Sequence, residues 1–92
     1  MDIVAVDILD EDKLKRKHDV IRREVMQVFA NGPRFFWAEK GQRPHEDVYT
    51  ALGQTDGGRY LIVFFIYKLN HRALVSSARD MDAKERKRYA KK

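Results

Sequence analysis

Ten consecutive residues, 59–68 (RYLIVFFIYK), are almost all β-branched, aromatic or leucine, and they fix most of what the rest of the chain can do. A strand with one wet face alternates polar and apolar residues. A continuous apolar run predicts instead a central strand covered on both faces. It is too short for a membrane-spanning helix, which needs about 20 residues. The stretch just before it, residues 54–58 (QTDGG), is a strong hairpin signal, because Asp-Gly accepts the positive φ angles of tight turns. Upstream, residues 46–53 alternate around Val48, Thr50 and Leu52, and residues 34–39 (RFFWAE) are rich in aromatics. A polar connection with Gly and Pro (residues 40–45) joins those two. Downstream, a turn at Leu69-Asn70-His71 leads into residues 72–78 (RALVSSA). Four strands in succession with short connections predict an antiparallel meander.

The flanks are different. Val4, Val6 and Ile8 alternate with Ile3, Ala5 and Asp7, which suits a short first strand. Residues 10–18 (DEDKLKRKH) place acids first and bases last, the polarity of a helix dipole. Ile21, Val25, Val28 and Phe29 then repeat at i, i+4, i+7 and i+8 as one face of a second helix. Asn31-Gly32-Pro33 ends it. At the other end Asp82 caps a last helix, with Glu85 at the third position of a capping box. The predicted fold class is α+β in the order β-α-α-β-β-β-β-α. With 92 residues, no internal repeat and no dividing linker, residues 1–92 are expected to form one domain.

Residues 1–12 carry five acids (Asp2, Asp7, Asp10, Glu11, Asp12) and no base. Residues 13–92 hold all 19 lysines and arginines against nine acids, a net of +10. Such a surface draws polyanions towards it. There is no cysteine, so disulfides and thiolate metal sites are excluded. The acidic N-terminus has no apolar signal core, and a cytoplasmic location without membrane contact is expected. The three histidines show no paired spacing and no carboxylate cluster accompanies them, so neither a metal nor another cofactor is expected.

The closing helix is the chain's oddity. Over residues 82–92 its apolar residues are Ala83, Tyr89 and Ala90, with Met81 just ahead. Against them stand Lys84, Arg86, Lys87, Arg88, Lys91 and Lys92. Like charges four residues apart repel modestly, so this segment gives up helix stability to concentrate positive charge. The alternatives are a solvated face beside a small packed edge and a helix that meets a polyanion. Arg79, at the end of the last strand and ahead of a helix N-terminus, has a planar fork suited to phosphate. It is equally able to pair with Asp80 or Asp82.

These residues resemble BrnT-type toxins, the ribonuclease half of bacterial type II toxin–antitoxin pairs. The matching stretches are Lys17-His18 ahead of a helix ending in Val28-Phe29, then Leu52-Gly53-Gln54-Thr55 with Gly58-Arg59. Leu61-Ile62-Val63-Phe64, Ser76-Ser77-Ala78-Arg79, and Glu85-Arg86 with Tyr89 follow in family order. Where members commonly carry Trp-Asp near the first strand and Gly after Lys-His, this chain has Ile8-Leu9-Asp10 and Asp19. The resemblance implies a RelE-like fold, an RNA substrate, and a ribbon-helix-helix antitoxin of the BrnA type, with a heterotetramer as one form of that complex. It implies an endoribonuclease in which the 2′-hydroxyl attacks the phosphodiester. The alternative is a non-enzymatic basic module, binding nucleic acid or an acidic partner, that has lost toxicity.

Metal-free RNA cleavage needs a base for the 2′-hydroxyl, an acid for the departing 5′ oxygen, and cations for the phosphoryl charge. The resemblance implies Arg79 and Arg59 as phosphate and transition-state contacts, with Arg86 as a third. His18, His45, Lys17 and Glu85 are the candidate proton carriers, and His18 comes first because imidazole titrates near neutral pH. Tyr89 is a candidate to stack on a base or orient the phosphate. Phe35, Phe36 and Trp37 are candidates for a base-stacking platform, although consecutive strand residues point to opposite faces and core packing accounts for at least one or two of them. Arg43, Lys84 and Arg88 complete the expected RNA contacts. Each has a structural alternative. His18 can cap helix carbonyls, His45 can stand in solvent, Glu85 is needed by the capping box, and Arg59 can pair with Asp56 across its turn. Arg79, Arg59 and His18 are expected to converge on one pocket with the closing helix.

Overall fold

A computed structural model of the protein describes residues 1–91; Lys92, counted above among the closing cations, lies outside the described residues. The elements run β1 (Ala5–Ile8), α1 (Glu11–His18), α2 (Arg22–Ala30), β2 (Arg34–Glu39), β3 (Val48–Gln54), β4 (Tyr60–Tyr67), β5 (Arg72–Asp80) and α3 (Ala83–Ala90). This is the expected α+β order. Asp10 starts α1 by accepting from the Lys13 amide at 3.0 Å, and Asp19 ends it in the left-handed region at φ 54°. Glu24 accepts from the Ile21 amide at 3.2 Å at the start of α2.

All five strands form one sheet in the order β1-β5-β4-β3-β2. β2 to β5 make the antiparallel meander, and β4 lies at its centre. β1 pairs parallel with β5, an arrangement that a strand followed by two helices can reach but a hairpin cannot. The β3–β4 hairpin forms where expected, but its positive φ falls at Gly58 (88°) and not at Asp56-Gly57. The Gly58 amide donates to the Thr55 carbonyl at 2.9 Å, and the residue after the turn takes the left-handed conformation.

The sheet has two unlike faces. On one, α1 and α2 bury Ala51, Leu61, Val63, Phe65, Ala73, Val75 and Ala78 beneath Leu14, Val20, Val25 and Val28. On the other, a smaller cluster of Leu52, Ile62 and Met81 is flanked by Phe36, Tyr60, Phe64 and Tyr89. Among the described residues α3 alone covers that second face, at one end.

A β-bulge decides which face the end of β5 serves. Phe64 pairs with Ser77, whereas Phe65 pairs with Val75, so Ser76 is the extra residue. Ala73 and Val75 point to the α1/α2 face, and unbroken alternation would send residues 77 and 79 there too. The extra residue reverses this. Ala78 and Asp80 face α1 and α2, and Ser77 and Arg79 face α3. β5 also runs two residues past the predicted end, so both Arg79 and Asp80 are strand residues.

Candidate nucleic-acid interface

The α3 face is built from cross-strand rows. Register aligns Arg34, Leu52, Ile62 and Arg79 in one row across β2, β3, β4 and β5. Phe36, Thr50, Phe64 and Ser77 form the next. α3 settles over this part of the face. No residue of α3 is buried, as its composition requires. Its N-terminus is closed by reciprocal bonds: the Glu85 amide donates to Asp82 Oδ1 at 2.8 Å, and the Asp82 amide donates to Glu85 Oε1 at 2.9 Å. Tyr89 packs edge-on against Tyr60, with ring centroids 6.0 Å apart. Arg34 Nη1 donates to the carbonyls of Arg88 and Tyr89 at 3.2 and 3.1 Å, satisfying acceptors that a helix end leaves open. A weakly apolar helix is thus held by one tyrosine, a capping box and an arginine from β2.

Four guanidinium groups lie on aromatic rings of this face. Arg88 sits 3.6 Å from the Phe36 centroid and Arg86 sits 4.0 Å from that of Tyr60. Arg34 lies 5.6 Å from the Phe36 centroid, and Arg79 lies 5.5 Å from that of Phe64. Arg79 also forms a two-pronged pair with Glu85, Nη1 to Oε1 at 2.8 Å and Nη2 to Oε2 at 2.9 Å. That hydrogen bonding holds the Glu85 carboxyl below its ordinary pKa and raises that of Arg79. Arg86 and Arg88, both exposed, have no side-chain hydrogen bond or ion pair among the described residues. Lys84 is exposed on the same helix.

Arg59 is on the opposite face. Its Nε donates to Asp80 Oδ1 at 2.7 Å, and Nη1 donates to the Asp19 carbonyl at 2.7 Å and to Glu24 Oε1 at 3.1 Å. Nη2 donates to the His18 carbonyl at 3.1 Å and to Asp80 Oδ2 at 3.2 Å. Bonding to Asp80 first, and to Glu24, raises its pKa, while the same guanidinium lowers that of Asp80. Every nitrogen of Arg59 is therefore occupied in tying the end of α1, the start of α2 and the end of β5 together. The alternative partner Asp56 instead accepts from Asn31 Nδ2 at 2.9 Å.

The expected convergence of Arg79, Arg59 and His18 does not form, because the sheet lies between them and the bulge at Ser76 turns Arg79 the other way. His18 is half-buried at the end of α1, and Lys17 beside it is exposed. Arg43 and His45 are exposed in the loop joining β2 to β3. His45 and His71 line a cleft of about 440 Å³ with Asp47, Tyr49 and Tyr67, away from α3. The face thus brings together Arg79, Glu85, Arg86, Arg88, Tyr89 and Lys84, and it leaves out Arg59, His18, Lys17, Arg43 and His45. Phe36 of the aromatic run 34–39 belongs to it, and so do Arg34, Phe64 and Ser77, which were not among the expected contacts. Phe64 was within reach, since a turn centred near Gly57 already sets it opposite Thr50. The register of β2 was not, since the loop from 40 to 47 leaves it open. Among the described residues, no group of three or more His, Cys, Asp or Glu is placed to hold a metal ion. None of the described helices is long and apolar enough to cross a membrane.

The model of the family described as "Ribonuclease toxin, BrnT, of type II toxin-antitoxin system" matches residues 10–85. A comparison with curated proteins returns no match.

Proposed function

The chain belongs to the BrnT family of ribonuclease toxins of type II toxin–antitoxin systems, and from that premise we propose that it cleaves RNA on the α3 face of the sheet, without a metal, by attack of the 2′-hydroxyl on the adjacent phosphodiester. Membership carries with it an RNA target and an antitoxin partner. The ribbon-helix-helix class of that antitoxin, a heterotetramer with it, a cytoplasmic site of action and a single toxin domain over residues 1–92 belong to the proposal.

The observation that carries the proposal is the meeting of Arg79 with Glu85 beside Arg86 and Arg88, which have no carboxylate partner among the described residues. Arg79 offers a phosphate the same two-pronged geometry it now gives Glu85. Arg86 and Arg88 supply further positive charge on a partly dry aromatic surface, where charge stabilisation is stronger than in water. While paired, Glu85 is a weak base, because Arg79 depresses its pKa. A phosphate that takes over the guanidinium removes that cation and adds a negative neighbour, and both raise the basicity of Glu85 next to the 2′-hydroxyl. Substrate binding thus creates the base. The leaving 5′ oxygen takes its proton from solvent. Arg59 keeps the end of β5 in place from the other face and acts through Asp80. His18, Lys17, Arg43 and His45 fall outside this chemistry and serve, at most, to draw RNA in by charge.

The test is a gel of end-labelled RNA incubated with the protein in EDTA. Wild type is expected to yield 2′,3′-cyclic phosphate ends, and Arg79→Ala to yield none while keeping its circular dichroism spectrum. Intact RNA after long incubation with wild type would favour the non-enzymatic binding module, and full cleavage by Arg79→Ala removes the assigned role.

A further inference from the structure

We propose that the Arg88 guanidinium, laid on the Phe36 ring, is a stacking platform for one base of unpaired RNA. The inference rests on the reading of the α3 face as the RNA site. A guanidinium carbon 3.6 Å from a ring centroid must lie over the face of the ring, since an in-plane approach at that distance runs into the ring's own edge atoms. The inner side of the guanidinium is thereby covered. Arg88 is an exposed residue, and with Phe36 on the inner side the outer side is the one a second planar group would take.

Two features hold the platform ready. Phe36 is fixed in a row with Thr50 and Phe64 and packs against the Leu52–Ile62–Met81 cluster. The backbone that carries Arg88 is tied to β2 through the bond from Arg34 to its carbonyl. A guanidinium already paired with an aromatic ring loses little freedom when a second planar group adds to the stack. Arginine planes and aromatic rings are the surfaces on which splayed RNA bases stack, and stacking tolerates any base. Bases inside a duplex have no free face to offer. Phe64, the ring that carries Arg79, lies on the same row as Phe36 two strands away, about 10 Å at ~4.8 Å per strand, and Arg79 reaches it from the adjacent row on β5. The stacked base and the bound phosphate are therefore neighbours on one strand of RNA.

The experiment uses a labelled 2′-O-methyl oligoadenosine octamer, which cannot be cleaved, and reads affinity by fluorescence anisotropy across a salt series. Arg88→Lys keeps the charge and removes the plane. It is expected to weaken binding about tenfold with the salt slope unchanged. Octamers with one abasic position, scanned along the strand, should weaken wild type at one position and cause Arg88→Lys no further loss there. Binding by Arg88→Lys within twofold of wild type overturns the inference. So does an equal abasic penalty in both proteins, or no measurable binding by wild type. Failure of the ribonuclease reading is seen separately, as unblocked RNA left intact by a wild type that still binds the blocked octamer.

Discussion

Arg79 and Glu85 meet through two parallel hydrogen bonds of 2.8 and 2.9 Å across the turn from β5 to α3, and the same Glu85 oxygen that takes Arg79 Nη1 also closes the cap of α3. One carboxylate thus links the phosphate-binding arginine to the integrity of the cationic helix. Replacing it separates binding from catalysis. Glu85→Gln retains an oxygen for the cap but loses the charge that occupies Arg79. RNA affinity is expected to rise several-fold, with a salt slope steeper by about one, as one more phosphate contact forms. The cleavage rate should fall by about 100-fold or more as the base is lost. Tighter binding with undiminished cleavage would remove Glu85 from the chemistry.

Arg59→Ala should act on stability. It leaves Glu24, Asp80 and the carbonyls of His18 and Asp19 without their partner. The ions are partly solvated, so the expected cost is about 2 kcal/mol rather than the full value for a buried pair. For a domain of this size that lowers the melting temperature by about 10 °C. Below that transition RNA cleavage should stay within a few-fold of wild type. Loss of cleavage with an unchanged melt would return Arg59 to the catalytic group.

The cap of α3 is a weak point for function. Asp82→Ala removes the acceptor of the Glu85 amide, at a cost of about 1 kcal/mol to a helix with no buried residue. Local fraying is the expected result, seen as faster amide exchange in α3 with β4 unaffected. RNA affinity should drop with it, because Arg86 and Arg88 lose their fixed positions. Unaltered exchange would show that Arg34 and Tyr89 suffice to hold the helix.

Acid should loosen the fold in a defined window. Hydrogen bonding to Arg59 and to Arg79 holds Asp80 and Glu85 below their ordinary values of 3.8 and 4.5. The unfolded chain therefore binds these protons more readily than the folded one. The contribution is complete above pH 4.5 and is lost as pH falls through the lower folded values. Urea midpoints should be flat from neutrality to about pH 5 and decline below it. In Arg59→Ala the decline should be shallower. An equal slope in both proteins would contradict the assignment of Asp80.

Much of this was legible from local chemistry. The order of elements, the hairpin at residues 54–58, the charge polarity of α1, the capping box of α3 and the family all follow from residues a few positions apart. Arg79 and α3 were marked as a cationic site for the same reason. Three things escaped. β1 adds to β5, a pairing more than 60 residues distant in sequence. Arg34 joins the site, and Phe36 rather than its neighbours Phe35 and Trp37 faces it, through a register that the β2–β3 loop does not set. Arg59 is grouped with Arg79 by the family resemblance alone, and a motif in sequence does not specify which face of a sheet its side chain takes.

Composition and spacing by themselves determined the elements, the surplus of positive charge and the helix too polar to bury itself, since each of these is a property of side chains and their immediate neighbours. Tertiary structure alone decided which cations work together. One unpaired serine in β5 reverses the alternation of every residue after it, sending Arg79 to the open face and Asp80 to the core side, where Arg59 holds it. A side-chain period of two makes facing an all-or-none property, and a bulge is visible only once two strands are in register.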